Sequence, residues 1–144
     1  MNETDLARFI EAQELPYGGY EQALQEIREG RKRSHWVWYI FPQLRGLGYS
    51  FNANFYGIVD CDEAARYLQH PVLGTRLREI TCALLQHRGT EAEDILGSID
   101  AQKVCSCMTL FDAISPNELF AEVLAAFYAS NRCECTLKML GTSE

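Results

Sequence analysis

Breakers set at short intervals constrain this chain more than any other feature. Gly18-Gly19, Gly30, Gly89 and Ser115-Pro116 each interrupt an apolar stripe of 3.6-residue period after a few turns. Such stripes can be buried only by packing many short helices on one another. Thr4 is placed to cap a first helix carrying Leu6, Phe9 and Ile10, and a second carries Ala23, Leu24 and Ile27 up to Gly30. Asp60 caps a third, through Leu68. His70-Pro71 then restarts the chain into what reads as the longest helix, with Leu73, Leu77, Ile80 and Leu84 on one stripe. Thr90 caps a Glu-rich turn to Leu96, and Asp100 caps a helix with Val104, Met108, Phe111 and Ile114. Ser115-Pro116 opens another with Leu119, Phe120, Val123, Leu124 and Phe127, and a last turn surrounds Leu137 and Leu140.

Two segments pull against this pattern. Trp36 to Phe41 is aromatic and β-branched, and Tyr49 to Tyr56 after Gly46-Leu47-Gly48 could pair with it as a hairpin. Ser34 and Ser50 sit where N-caps belong, however, and no further strands exist to complete a sheet around a lone hairpin, so two short helices are the better reading. The expectation is an all-α, compact single-domain bundle of about seven to nine short helices over residues 1–144. A chain of 144 residues, 47% hydrophobic, is long enough to bury roughly 70% of its unfolded surface.

Charge narrows the partners. Asp plus Glu number 20 against 13 Lys plus Arg, a formal charge of -7, which argues against duplex nucleic acid because that affinity needs a wide basic face. No apolar run is long enough for a membrane span, and Met1-Asn2-Glu3-Thr4-Asp5 lacks the basic and apolar regions of a secretory leader. A soluble, cytoplasmic protein is expected. The six cysteines, at 61, 82, 105, 107, 133 and 135, are then read as reduced thiols. Cys105/Cys107 and Cys133/Cys135 do not read as zinc pairs, since residues two apart on a helix diverge by about 200°. No metal and no cofactor are expected.

Against the acidic background, Arg28, Arg31, Lys32 and Arg33 gather four of the cations into six residues, directly before Ser34-His35-Trp36. If Ser34 caps a helix beginning at His35, the free N–H groups of its first turn and the forks of Arg31 and Arg33 with Lys32 form an anion cradle suited to phosphate or pyrophosphate. The plainer alternatives are a solvated loop balancing an acidic protein, or a salt-bridge surface. His35 is the one histidine beside the cluster, yet it diverges from Ser34 on a helix, so the two are no nucleophile-base pair. Of Trp36 and Trp38, at most one should stack on a ligand and the rest is core. A second polar stripe, Lys103, Ser106 and Thr109 following Asp100, spans about 120° of its helix, opposite Val104, Met108 and Phe111. It faces either a shared cleft or solvent. No Walker loop, dinucleotide-binding glycine fingerprint, H-E-x-x-H or G-x-S-x-G occurs.

With Arg8-Phe9-Ile10-Glu11-Ala12-Gln13, Gly30-Arg31-Lys32-Arg33-Ser34-His35-Trp36, Phe41-Pro42-Gln43-Leu44, His70-Pro71-Val72-Leu73-Gly74 and Met108-Thr109-Leu110-Phe111 in order, the chain resembles the bacterial domain-of-unknown-function 1810 family from about Asp5 to Leu140. The resemblance implies a small all-helical domain and no established activity. Members often carry the label "calpastatin", an inhibitor class that is disordered and polar, unlike a chain with two Trp, seven Tyr and seven Phe. Cys105 and Cys107 flank Ser106 where the family is usually more polar. The arginine-tryptophan segment after an N-terminal helix pair is also similar to that of the ADP-ribose-processing NADAR domains.

These residues set the functional expectation: a domain that binds, or also processes, a phosphorylated small molecule of nucleotide or ADP-ribose type. Arg31, Lys32, Arg33 and Ser34 hold phosphate, Trp36, His35 and Gln43 contact sugar or base, and Lys103, Ser106 and Thr109 complete the pocket. Any chemistry would be that of a hydrolase or glycosidase, with His35 as base and Asp100 as acidic counterpart. The rival is a non-catalytic module binding a protein partner or a second copy as a homodimer.

Overall fold

The computed structural model describes residues 3–141, with side chains from Leu6. Ten helices occur among them: α1 (Glu3–Gln13), α2 (Tyr20–Glu29), α3 (Val37–Ile40), α4 (Phe51–Phe55), α5 (Cys61–Gln69), α6 (Leu73–Leu85), α7 (Ala92–Leu96), α8 (Ser98–Ile114), α9 (Leu119–Tyr128) and α10 (Glu134–Leu140). The only pairing of β type among the described residues is one isolated parallel bridge between Leu44 and Ile58. The fold is all-α, with slightly more helices than the sequence suggested.

Helix α8 is the axis. It packs against α3, α5, α7, α9 and α10, while α6 joins α2, α5 and α9 on the far side. Its buried residues include Ala101, Val104, Ser106 to Phe111 and Asp112, so it is covered nearly all round through its second half. At 17 residues α8, and not α6 at 13, is the longest helix, and it starts two residues ahead of the Asp100 cap that the sequence suggested. One apolar cluster runs from Leu6 on α1 to Leu124 on α9.

The segment that invited a hairpin is helical because of burial. Trp36, Val37, Tyr39, Ile40 and Phe41 are all buried, whereas a half-buried strand would expose every second residue. Ser50 caps α4 as expected, accepting from Ala53 N at 3.1 Å, and Asp60 caps α5, accepting from Glu63 N at 2.9 Å. Three other caps fall elsewhere. Residue 90 is followed by Glu91 at the N-cap of α7, Asp100 lies within the first turn of α8, and Ser34 lies outside α3, whose N-cap is Trp36. Thr4 lies inside α1, which begins at Glu3, and its side chain lies outside the described residues. No described helix is long and apolar enough to cross a membrane.

Several residues of the motifs that carry the resemblance hold elements together. Arg8 on α1 meets Glu63 on α5 at 3.0 Å with both side chains largely buried, and also donates to the carbonyls of Phe55 and Gly57. Gln13 donates to Tyr39 O at 2.8 Å and to Tyr67 Oη at 3.2 Å. At Gly74, any Cβ would sit 2.0 Å from Leu68 O, so only glycine lets α6 turn this tightly against α5.

Candidate functional site

The loop from Gly30 to Trp36 does cradle an anion, and the anion is the protein's own Glu26. Gly30, at φ 85°, ends α2 with its N–H on Ile27 O while the Arg31 N–H bonds Glu26 O, a glycine-terminated closure that turns the chain back over its helix. The Glu26 carboxylate then accepts from Arg33 N at 2.7 Å, Ser34 N at 3.1 Å, Ser34 Oγ at 2.7 Å, Trp36 Nε1 at 2.9 Å and Gln22 Nε2 at 3.0 Å. Burial raises its pKa. The donors from Arg33, Ser34, Trp36 and Gln22 outweigh that and hold it down at about 2. Ser34 therefore serves Glu26, and Trp36, fully buried with its indole on the same carboxylate, presents no face to a ligand.

Lys32 and Arg33 of this run have acidic partners. Lys32 pairs with Asp100 at 2.7 Å, lies 4.9 Å from the centre of the Trp36 ring and donates to Ser34 O, while its own N–H bonds Ile95 O. It staples the loop to α7 and α8. Arg33 is exposed and pairs with Glu29 at 2.5 Å, and Arg31 is exposed. An open groove of about 870 Å³ runs along α2 beside Arg33 and Ser34, but Glu21, Glu26 and Glu29 line it. His35 is exposed, and no hydrogen bond joins it to Asp100 among the described residues; that carboxylate is held between Lys32 and, at 3.5 Å, Lys103. The His35 and Asp100 pair is thus not assembled. Thr109 also leaves the candidate pocket: it is buried, donating to Cys105 O at 2.8 Å and accepting from Cys133 N at 2.9 Å.

Gln43, Lys103 and Ser106 do come together. They line a cleft of about 700 Å³ formed by α7, the first half of α8, the end of α9, the start of α10 and the Leu47-Gly48 loop. Its walls include Leu47, Ile99, Phe127 and Tyr128, with Glu91 and Glu93 at the α7 side. Lys103 is partly exposed and lies 5.7 Å from the centre of the Trp38 ring. The Tyr128 hydroxyl donates to Ala101 O at 2.6 Å, which fixes that wall.

Sequence reasoning missed the third side of this cleft. After α9, Ala129 and Ser130 adopt positive φ, 53° and 64°, and Arg132 reaches Asp112 of α8 at 2.9 Å. The chain is thereby laid along α8, with Cys133 over Ser106: the Ser106 hydroxyl meets Cys133 Sγ at 3.2 Å. Burial raises the Cys133 pKa, but the hydroxyls of Ser106 and Thr136 and the N–H groups of Thr136 and Cys135 more than offset this and hold it below the usual thiol value. Cys107, fully buried on α8, is pushed well up instead. Among the described residues no group of three or more metal-ligating side chains is found.

No curated protein matches the chain. It is similar to a solved structure described as the conserved hypothetical protein Rv1873 from Mycobacterium tuberculosis, with 44% identity over 97% of this chain and 99% of that one and a TM-score of 0.92. The family model described as "Protein of unknown function (DUF1810)" matches residues 3–140. Arg8, Gln13, Gly30 and Gly74, which hold the elements together, all fall within that span, and the chain belongs to the DUF1810 family.

Proposed function

We propose that the chain binds a small phosphorylated molecule in the α7–α8–α10 cleft, of the size and charge of a nucleoside monophosphate, with Lys103 contacting the phosphate. The observation supporting this reading is the convergence of Gln43, Lys103 and Ser106 on a concave, partly aromatic space of about 700 Å³, the usual form of a small-molecule site. Phe127 and Ile99 offer apolar surface for a base, and Gln43 and Gln102 offer polar edges. A single phosphate suits the charge better than a pyrophosphate, because Lys32 is engaged with Asp100 and two glutamates stand on the rim. The basic loop, filled by Glu26, plays no part in this reading.

Isothermal titration with adenosine monophosphate, ADP-ribose and inorganic phosphate tests it. Lys103→Ala should weaken monophosphate binding about ten- to a hundredfold, the worth of a charge-assisted hydrogen bond of about 1.5–3 kcal/mol, while Arg31→Ala with Arg33→Ala should leave it unchanged. Loss with the arginine pair and not with Lys103 would return the site to the loop. The interaction-module reading has its own support in a separate surface: Phe51 stacks on Phe55 at 5.4 Å while 75% exposed, and Tyr49 beside it is 97% exposed. Light scattering of the unmodified chain and of Phe51→Ser separates that reading, since only a self-associating protein would change mass.

A further inference from the structure

The start of α10 holds a polar group that the cleft reading does not use. Thr136 is fully buried and its hydroxyl has no hydrogen-bond partner among the described residues. A fully buried hydroxyl left without a partner is rare and calls for a group to receive it. It sits three residues after Cys133, the N-cap of α10, and is one of the groups that lower the Cys133 pKa. Ser106 approaches the same sulfur from α8, its one proton shared between Cys133 Sγ and Gln102 O, each at 3.2 Å. One hydroxyl, from α8, thus meets the sulfur at the wall of the cleft, and an unpartnered one lies buried in the first turn of α10.

A second thiol faces this cleft. Cys105 lines the same cleft, and the Thr109 hydroxyl ties the two backbones together by accepting from Cys133 N and donating to Cys105 O. Burial raises the Cys105 pKa, with the charge on Cys133 as the next cause. Cys105 Sγ contacts Asn131 O at 3.7 Å and is also bonded by the Thr109 side chain.

We propose that Cys133 is a peroxide-reactive thiol of the cleft, oxidised by small hydroperoxides to the sulfenic acid and resolved by Cys105 into a Cys105–Cys133 disulfide. In the first step the Cys133 thiolate attacks the terminal oxygen of the hydroperoxide. An S–O bond forms, the O–O bond breaks, and the leaving alkoxide or hydroxide takes up a proton as alcohol or water. In the second step Cys105 sulfur attacks Cys133 sulfur. The S–S bond forms, the S–O bond breaks, and the hydroxyl leaves as water with the Cys105 proton. The thiol pair loses two electrons and the peroxide gains them. An accessible, stabilised thiolate beside a resolving thiol is the arrangement this chemistry requires. The inference does not rest on the phosphorylated-ligand reading.

The reduced full-length chain is treated with one equivalent of hydrogen peroxide, remaining thiols are alkylated, and the peptides are mapped by mass spectrometry. Cys133 should be the first thiol lost and should appear joined to Cys105. Cys105→Ser should leave Cys133 as a sulfenic acid that dimedone captures. Ser106→Ala should slow Cys133 oxidation about tenfold while exposed Cys61 and Cys82 react at their unmodified rates. The map of the unmodified chain decides without any substitution: Cys61, Cys82 or Cys135 reacting before Cys133, or Cys133 joined to a thiol other than Cys105, overturns the proposal.

Discussion

A carboxylate that accepts from a helix amide, two backbone N–H groups, a hydroxyl and an indole, as Glu26 does, resists protonation and makes stability depend on pH. Its folded pKa of about 2 lies below the unfolded value of 4.5. The stabilisation is therefore complete above about pH 4.5 and is lost as the pH falls through 2. It amounts to about 3 kcal/mol. Denaturant titrations between pH 6 and pH 2 should show this decline, and Glu26→Gln should flatten the part of the curve below pH 4.5. The same variant should cost about 1–3 kcal/mol at pH 7, because its amide must point a donor at the donors of Gln22 and Ser34. An unchanged acid limb in Glu26→Gln would mean that the carboxylate does not organise the loop. At this scale the sequence was half legible. The cations announced an anion site, but nothing in the spacing of Glu26, on the preceding helix, marked it as the occupant, since that depends on Gly30 reversing the chain.

Among the elements, the junction of α9 and α10 bears most on the cleft. Ala129 caps α9 at φ 53°, ψ 35°, a left-handed conformation that costs an alanine roughly 1 kcal/mol relative to glycine. Ala129→Gly should therefore raise stability by about 0.5–1 kcal/mol, read as a higher denaturant midpoint at unchanged slope. A fall in stability would show that unfolded-state entropy outweighs relief at this position. Elements with their own local chemistry were readable: α2 ends at Gly30, and α4 and α5 begin at Ser50 and Asp60 as their side chains dictate. Those set by tertiary contact were not. Asp100 resembles a cap in sequence but is spent on Lys32, and the placement of Cys133 follows from the Arg132 to Asp112 pair, between residues twenty apart.

In the whole molecule, α8 carries the core, and Phe111 lies fully buried between the rings of Tyr67 and Phe120, at 5.6 and 5.8 Å. Phe111→Ala should cost about 3–5 kcal/mol through lost burial and the cavity left behind. Thermal melting should fall by about 10 °C for a chain of this length; a shift of only a degree or two would mean that α8 is not the packing axis. The all-helical class was legible because breakers and periodicity agree along most of the chain, whereas the cleft was not, because its walls come from four helices and a loop far apart in sequence. The self-filled loop also alters how a search for ligands should be designed. Glu26 is a competitor carried on the same chain, present at an effective concentration that no dissolved phosphate can approach. Titrating anions against the intact protein samples only what Glu26 leaves open, and the recognition capacity of those amides becomes measurable only once the resident carboxylate has been shortened out of reach.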